Sequence, residues 1–199
     1  MDDLMRDEFL IRKLVENWVV WRDSGDWERF KTVWHEEGQM MATWNHGSWK
    51  DFLSATIEGW NRGVRIVHTL AGMSVEIKGT RAVVQTKMSI SQRGELDGVL
   101  VDVHCIGRFY DFLEKRDGRW GFVLRQPIYE KDRLDPVDPG AVITFNKERL
   151  MQFPEGYRYL AYLQDKVGYP IKMDQPQLTG PAVEALYKRG AAWLEGKPL

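Results

Sequence analysis

Apolar residues recur at three-to-four spacing in the first third of the chain and at a spacing of two through the middle, which predicts helices followed by sheet. Ile11, Leu14, Val15, Trp18 and Trp21 share one side of a helix over residues 7–22. Gly25 breaks that helix, and Asp26 is placed to cap a short second one, Trp27 to Trp34. A first short strand is expected from Gln39 to Trp44, then a third helix from Lys50 to Arg62 with Phe52, Leu53, Ile57 and Trp60 on one side. From Val64 the period becomes two. Ile66 to Ile77 reads as a strand interrupted by a bulge at Ala71-Gly72. Arg81 to Gln92 alternates, with Ala82, Val84, Thr86, Met88 and Ile90 on one face. Val99 to Lys115 places Leu100, Asp102, His104, Ile106, Arg108, Tyr110 and Phe112 on one side. Asp117-Gly118 signals a hairpin, from which Arg119 to Ile128 returns as the last strand. After the stretch from Asp135 to Gly140, two short helices are expected, about 154–167 and 179–194, separated by Pro-rich chain. The architecture is α+β, with three N-terminal helices and long, curved antiparallel strands over residues 1–134. Residues 135–199 form a helical extension that packs on the core, over a pocket mouth or at an oligomer interface.

Composition narrows the class. The chain has 199 residues, 43% hydrophobic, with a net charge of −1. That suits one decorated domain with a real core and excludes wholesale disorder. Basic residues are scattered, which argues against a nucleic-acid surface. No apolar run approaches a membrane span, and the acidic stretch Met1 to Glu8 lacks the apolar core of a signal peptide. The expectation is a soluble, cytoplasmic protein. Cys105 is single, and the four His residues have no ligand spacing, so neither a disulfide nor a metal site is expected. Phosphate loops and a serine nucleophile elbow are absent, so no cofactor is expected. Nine Trp in this length imply a large core or an aromatic-lined cavity.

The candidate chemistry lies where the first helix ends, in Trp18-Val19-Val20-Trp21-Arg22-Asp23-Ser24-Gly25-Asp26-Trp27. A carboxylate among indole rings can sit in a partly dry site, where desolvation raises its pKa and a cationic partner lowers it. The candidate partner of Asp23 is His68, whose reference pKa of about 6.5 suits proton transfer near neutral pH. Asp23 would hold the ring in one tautomer. Trp18, Trp44, Tyr110 and Tyr129 could line or stack on an aromatic substrate, and Gln92 and His104 complete the candidate binding set. The plain alternatives are a turn residue for Asp23, a satisfied strand His for His68 and a salt-bridged edge residue for Arg125. Asp102 and His104 share a strand face that is either pocket lining or a subunit contact. His35 and His46 fall in exposed-looking loops.

The order of elements, together with Arg22-Asp23-Ser24-Gly25-Asp26-Trp27-Glu28-Arg29-Phe30 and Val33-Trp34-His35-Glu36-Glu37-Gly38, resembles the NTF2-like, or SnoaL-like, cone fold over roughly residues 7–130. Within it the chain is most similar to the branch holding scytalone dehydratase, hexachlorocyclohexane dehydrochlorinase and bile-acid 7α-dehydratase. The resemblance implies an Asp–His pair at Asp23 and His68. It also implies an Arg eight residues after the hairpin Asp117, which is Arg125, a poor base but a good clamp for an anion. Trp18 stands where those enzymes carry a Lys or Tyr, and Gln92 falls about where scytalone dehydratase has a second His. The implied activity is a cofactor-independent lyase acting on a small aromatic or alicyclic hydroxylated compound. Other members of the superfamily imply a formaldehyde-releasing lyase on lignin-derived diaryl propanes, a ketosteroid-type isomerase, or a non-catalytic module like the β subunit of ring-hydroxylating dioxygenases. A homodimer or homotrimer is implied by the same resemblance.

Overall fold

The computed structural model describes residues 3–199; Met1 and Asp2 of the acidic N-terminal stretch lie outside the described residues. Helix α1 (Asp3–Ser24) buries Asp7, Ile11, Val15, Trp18, Val19 and Arg22 at three-to-four spacing. It begins earlier than its apolar stripe because Asp7 is taken inward by Lys115 at 2.8 Å and the Trp120 indole at 3.0 Å. At the other end the inward position belongs to Arg22, while Trp21 is only half-buried. Asp26 caps α2 (Trp27–Lys31) by accepting from the Arg29 N–H. This helix is shorter than expected, because the chain extends from Trp34 into β1 (Trp34–Met41) and then β2 (His46–Ser48). His35 therefore lies in a buried strand, with Nε2 at 2.9 Å from the Glu114 carbonyl, and not in an exposed loop. Ser48 caps α3 (Trp49–Asn61), which buries Phe52, Leu53 and Thr56.

Four long strands follow: β3 (Ile66–Lys78), β4 (Arg81–Leu96), β5 (Val99–Arg116) and β6 (Arg119–Pro136). The sheet order is β2-β1-β6-β5-β4-β3, antiparallel except for the parallel β1–β6 pair. The β3–β4 register shifts between Leu70 and Met73, at the expected bulge. Asp117 and Gly118 both take positive φ, 50° and 78°, in the β5–β6 turn. Strands β4 and β6 run past the expected Gln92 and Ile128, and tail residues pack on these added lengths, Leu163 against Gly94 and the Leu160 N–H on Asp132.

That tail has two parts. Helix α4 (Lys147–Gln152), a 3₁₀ turn (Glu155–Tyr157) and α5 (Arg158–Lys166) join the main core through Phe153, Tyr157, Leu160 and Leu163. Helix α6 (Pro181–Leu194) crosses the outer face of the sheet and packs Val183, Leu186 and Trp193 on Val83, Tyr110, Phe112, Leu124 and Ile128. Gly190 permits the approach: a Cβ there would lie 1.9 Å from the Tyr110 hydroxyl. Gly190→Leu is expected to cost about 1–3 kcal/mol by overpacking and to lower the melting temperature by several degrees. An unchanged melt would mean that α6 does not dock through this contact.

Candidate active site

Asp23 at the end of α1 meets His68 near the start of β3. Both carboxylate oxygens are engaged. Oδ2 accepts the His68 backbone N–H at 2.5 Å, and Oδ1 lies 2.9 Å from His68 Nδ1. An ionised carboxylate only accepts, so Nδ1 carries the proton and Nε2 keeps its lone pair. Among the described residues no protein group hydrogen-bonds that Nε2. The Trp18 ring stands edge-on to the imidazole, with centroids 5.6 Å apart, and Phe109 packs 6.0 Å away. Burial pushes the imidazole pKa below its usual 6.5. The Asp23 contact opposes this without overcoming it, and the charges of Arg22 and Arg125 add to the depression. For Asp23 burial acts upward, but the His68 and Arg22 contacts outweigh it and hold the carboxyl below its ordinary value. The pair is thus a neutral imidazole beside an ionised carboxylate.

His68 lines an internal cavity of about 40 Å³, room for a few water molecules. Trp18, Trp44, Phe52, Ile90 and Phe109 make most of its apolar wall, and Arg22, Thr43, Tyr129 and Gln164 are its polar points. Gln164 comes from α5 in the tail. It accepts a short hydrogen bond from the Thr43 hydroxyl and donates to Gln92 Oε1 at 3.0 Å. Trp18, Trp44 and Tyr129 therefore border this cavity, and Gln92 borders a smaller hollow beside it.

Three expectations are corrected. Tyr110 and His104 point to the other face of the sheet. Tyr110 is packed under α6 beside Gly190, and His104 opens into an outer hollow with Lys131 and Arg133. Asp102, on that same face, is paired with Arg93 at 2.7 Å. The set chosen from β5 is its outer side; Val101, Val103, Cys105, Phe109 and Asp111 are turned inward. Arg125 does not border the cavity. It is fully buried, its Nε and Nη2 grip Asp111 at 2.8 and 2.7 Å, and its guanidinium sits against the rings of Trp18, Phe109 and Phe122 at 4.1–4.5 Å. Its Nη1 is buried without a hydrogen-bond partner. Arg22, Asp111, Phe109, Thr43 and Gln164 were missed. For Arg22 a signal existed, since a basic residue one place before the carboxylate shares its helix end.

A SnoaL-like domain is matched over residues 4–126, well over half of the chain. The chain belongs to the SnoaL-like family. A PEP2-like protein of Fusarium vanettenii is 37% identical over 209 aligned residues, spanning all of this chain and 90% of that one. Pea pathogenicity protein 2 of the same fungus is 34% identical over the same spans. Among solved structures, hexachlorocyclohexane dehydrochlorinase LinA-type3 of Novosphingobium barchaimii superposes with a TM-score of 0.53 at 15% identity, covering 72% of this chain and all of that one. A Novosphingobium aromaticivorans protein assigned by name to the scytalone dehydratases gives 0.55 at 18% identity, over 70% of this chain and 97% of its own. At such identity these likenesses show the fold, NTF2-like and strongly curved. Among the described residues no helix is long and apolar enough to cross a membrane, and no group of three or more His, Cys, Asp or Glu could hold a metal ion.

Proposed function

We propose that this SnoaL-like protein is a cofactor-independent lyase that performs a dehydratase-type acid–base elimination on a small aromatic or alicyclic hydroxylated compound. One observation carries the reading: an imidazole bordering a mostly apolar cavity, fixed by Asp23 through two hydrogen bonds, with Nε2 uncommitted. His68 takes a proton from the substrate carbon and returns one to the leaving group. Asp23 is a positioning residue that stabilises the imidazolium as it forms. The lyase names carried by the structural neighbours support the reaction class. On this reading residues 135–199 belong to the site, since Leu160 and Gln164 form part of the wall. The cavity's small volume favours a second reading, a non-catalytic module whose cone is filled by its own tail.

The pH dependence separates the two. A base must be neutral to act, so kcat/KM is expected to rise with pH along an acid limb whose midpoint lies below 6.5, the direction in which His68 is displaced. Stability follows the same sign. Both folded-state values are depressed, so the unfolded chain binds more protons on acidification. The His68 contribution is intact above the unfolded value of about 6.5 and is lost as pH falls through the lower folded one. The Asp23 contribution is intact above about 3.9 and is lost at still lower pH. A limb centred above 6.5, or a rate independent of pH from 4 to 8, would remove His68 as the base.

A further inference from the structure

Residues 169–178 of the tail run as a strap with no regular structure beyond a single bridge, Tyr129 to Gln177. The Lys172 N–H donates to the Thr43 carbonyl at 2.7 Å, and the Tyr129 N–H to the Pro176 carbonyl at 2.9 Å. The Tyr169 ring lies 5.3 Å from that of Trp44. Thr43, Trp44 and Tyr129 all line the His68 cavity, so the strap is tied to that wall.

A side-chain relay pins the middle of the strap. Gln126 on β6 gives its amide NH₂ to two acceptors, the Pro127 carbonyl at 3.0 Å and Gln175 Oε1 at 2.9 Å. A backbone carbonyl only accepts, which fixes the direction of the relay. Gln175, 3% exposed, therefore turns its own NH₂ to His46 Nε2, with which it is in hydrogen-bond contact. That nitrogen accepts only while the ring is neutral with its proton on Nδ1; an imidazolium sets N–H against N–H. Gln175 cannot flip to suit it without setting its NH₂ against that of Gln126. Asp174 Oδ1 stands 4.0 Å from the same Nε2. The other charges around the ring are Lys172 on the strap and Arg189 on α6, which lines the same hollow of about 250 Å³. Burial holds the imidazole below its usual 6.5, with Lys172 adding to the depression and Asp174 opposing it. The His46 side chain is 31% exposed, so protons reach it from solvent.

We propose that Gln126, Gln175 and His46 form a pH-sensitive catch, which pins the strap while His46 is neutral and frees its middle when His46 takes a proton and turns to Asp174. On acidification Nε2 gains a hydrogen, loses Gln175 as its donor and pairs with the Asp174 carboxylate. Gln175 is then left buried with an unmatched amide N–H, which favours its leaving the hollow. On return to neutral pH the ring accepts again and the strap is pinned. The catch works whether or not His68 is a base.

Amide hydrogen exchange, read residue by residue by NMR, tests the catch at the Tyr129 N–H, which Pro176 holds. After division by the intrinsic rate, opening at Tyr129 is expected to rise about tenfold between pH 8 and pH 5, the equivalent of one hydrogen bond, with a midpoint below 6.5. His46→Gln offers Gln175 an acceptor that cannot take a charge, so its exchange should stay slow and flat with pH. His46→Ala removes the acceptor and should open the strap at both pH values. Asp174→Asn removes the carboxylate that favours the charged ring and should move the midpoint to lower pH. His68→Ala should keep the rise, which separates the catch from titration of the other imidazole. A rise of the same size in His46→Gln overturns the proposal, as does its loss in His68→Ala. An equal rise at the β4 amides, the mark of opening of the whole sheet, overturns it too, and so does flat exchange at Tyr129 in the wild-type protein.

Discussion

His68→Ala is expected to lower turnover by roughly 10²–10⁴-fold, the contribution of a positioned general base, while the far-ultraviolet circular dichroism and the melting transition stay close to wild type. The fold should tolerate the change because Asp23 is not orphaned by it. Its Oδ2 keeps the backbone N–H of residue 68, and its Oδ1 keeps Arg22 Nη1 at 3.1 Å. Asp23→Asn should give a loss in the same range by another route. An amide can offer its NH₂ to Nδ1, which then accepts, so that Nε2 carries the proton and the base is lost. Near-full activity in His68→Ala, measured on any compound the wild-type protein converts, rejects the lyase reading.

The largest effect on stability is expected at Asp111, far from bulk solvent. Asp111→Ala should cost about 3–5 kcal/mol, the usual consequence of stranding one member of a buried pair. Asp111 and Arg125 face each other across β5 and β6, both with 0% side-chain exposure, and three aromatic rings surround the guanidinium. Burial pushes the Asp111 carboxyl up against the lowering pull of Arg125, so the pair is held together at a desolvation cost. Replacing both partners, Asp111→Leu with Arg125→Met, should recover most of the loss, because apolar residues of similar volume impose no such cost. Urea denaturation of the two variants checks this. A negligible loss in Asp111→Ala would mean that the guanidinium finds water or another acceptor.

The elements were legible wherever one face is apolar and the other polar. Ile11, Val15 and Trp18 mark the inner side of α1, and the alternation through Ala82, Val84 and Met88 marks β4. The site was legible at the Asp23–His68 contact, because the family resemblance pairs a helix-ending carboxylate with a histidine near the opening of the sheet. It was not legible on β5. The second half of that strand is apolar on both faces, since α6 covers Tyr110 and Phe112 while the main core covers Phe109 and Leu113, and alternation there cannot say which face is inner. Arg125 was singled out by the family resemblance, but its partner Asp111 depends on a β5–β6 register with two irregularities. Arg22 was hidden because the hydrophobic stripe assigned the inward position to Trp21, and an arginine turned inward looks like an ordinary basic helix end. Gln164 lies more than 90 residues along the chain from His68, and only the folding of the tail brings it to the same cavity.

Burial keeps His68 neutral, while Asp23 fixes the proton on Nδ1 and leaves a free lone pair on Nε2. Nitrogen-15 NMR of the imidazole, titrated across neutral pH, reads this directly. The expected result is the Nδ1–H tautomer at pH 7, protonation only below pH 6.5, and conversion to the Nε2–H form in Asp23→Asn. An imidazolium at pH 7, or an Nε2–H tautomer in the unaltered protein, would contradict it.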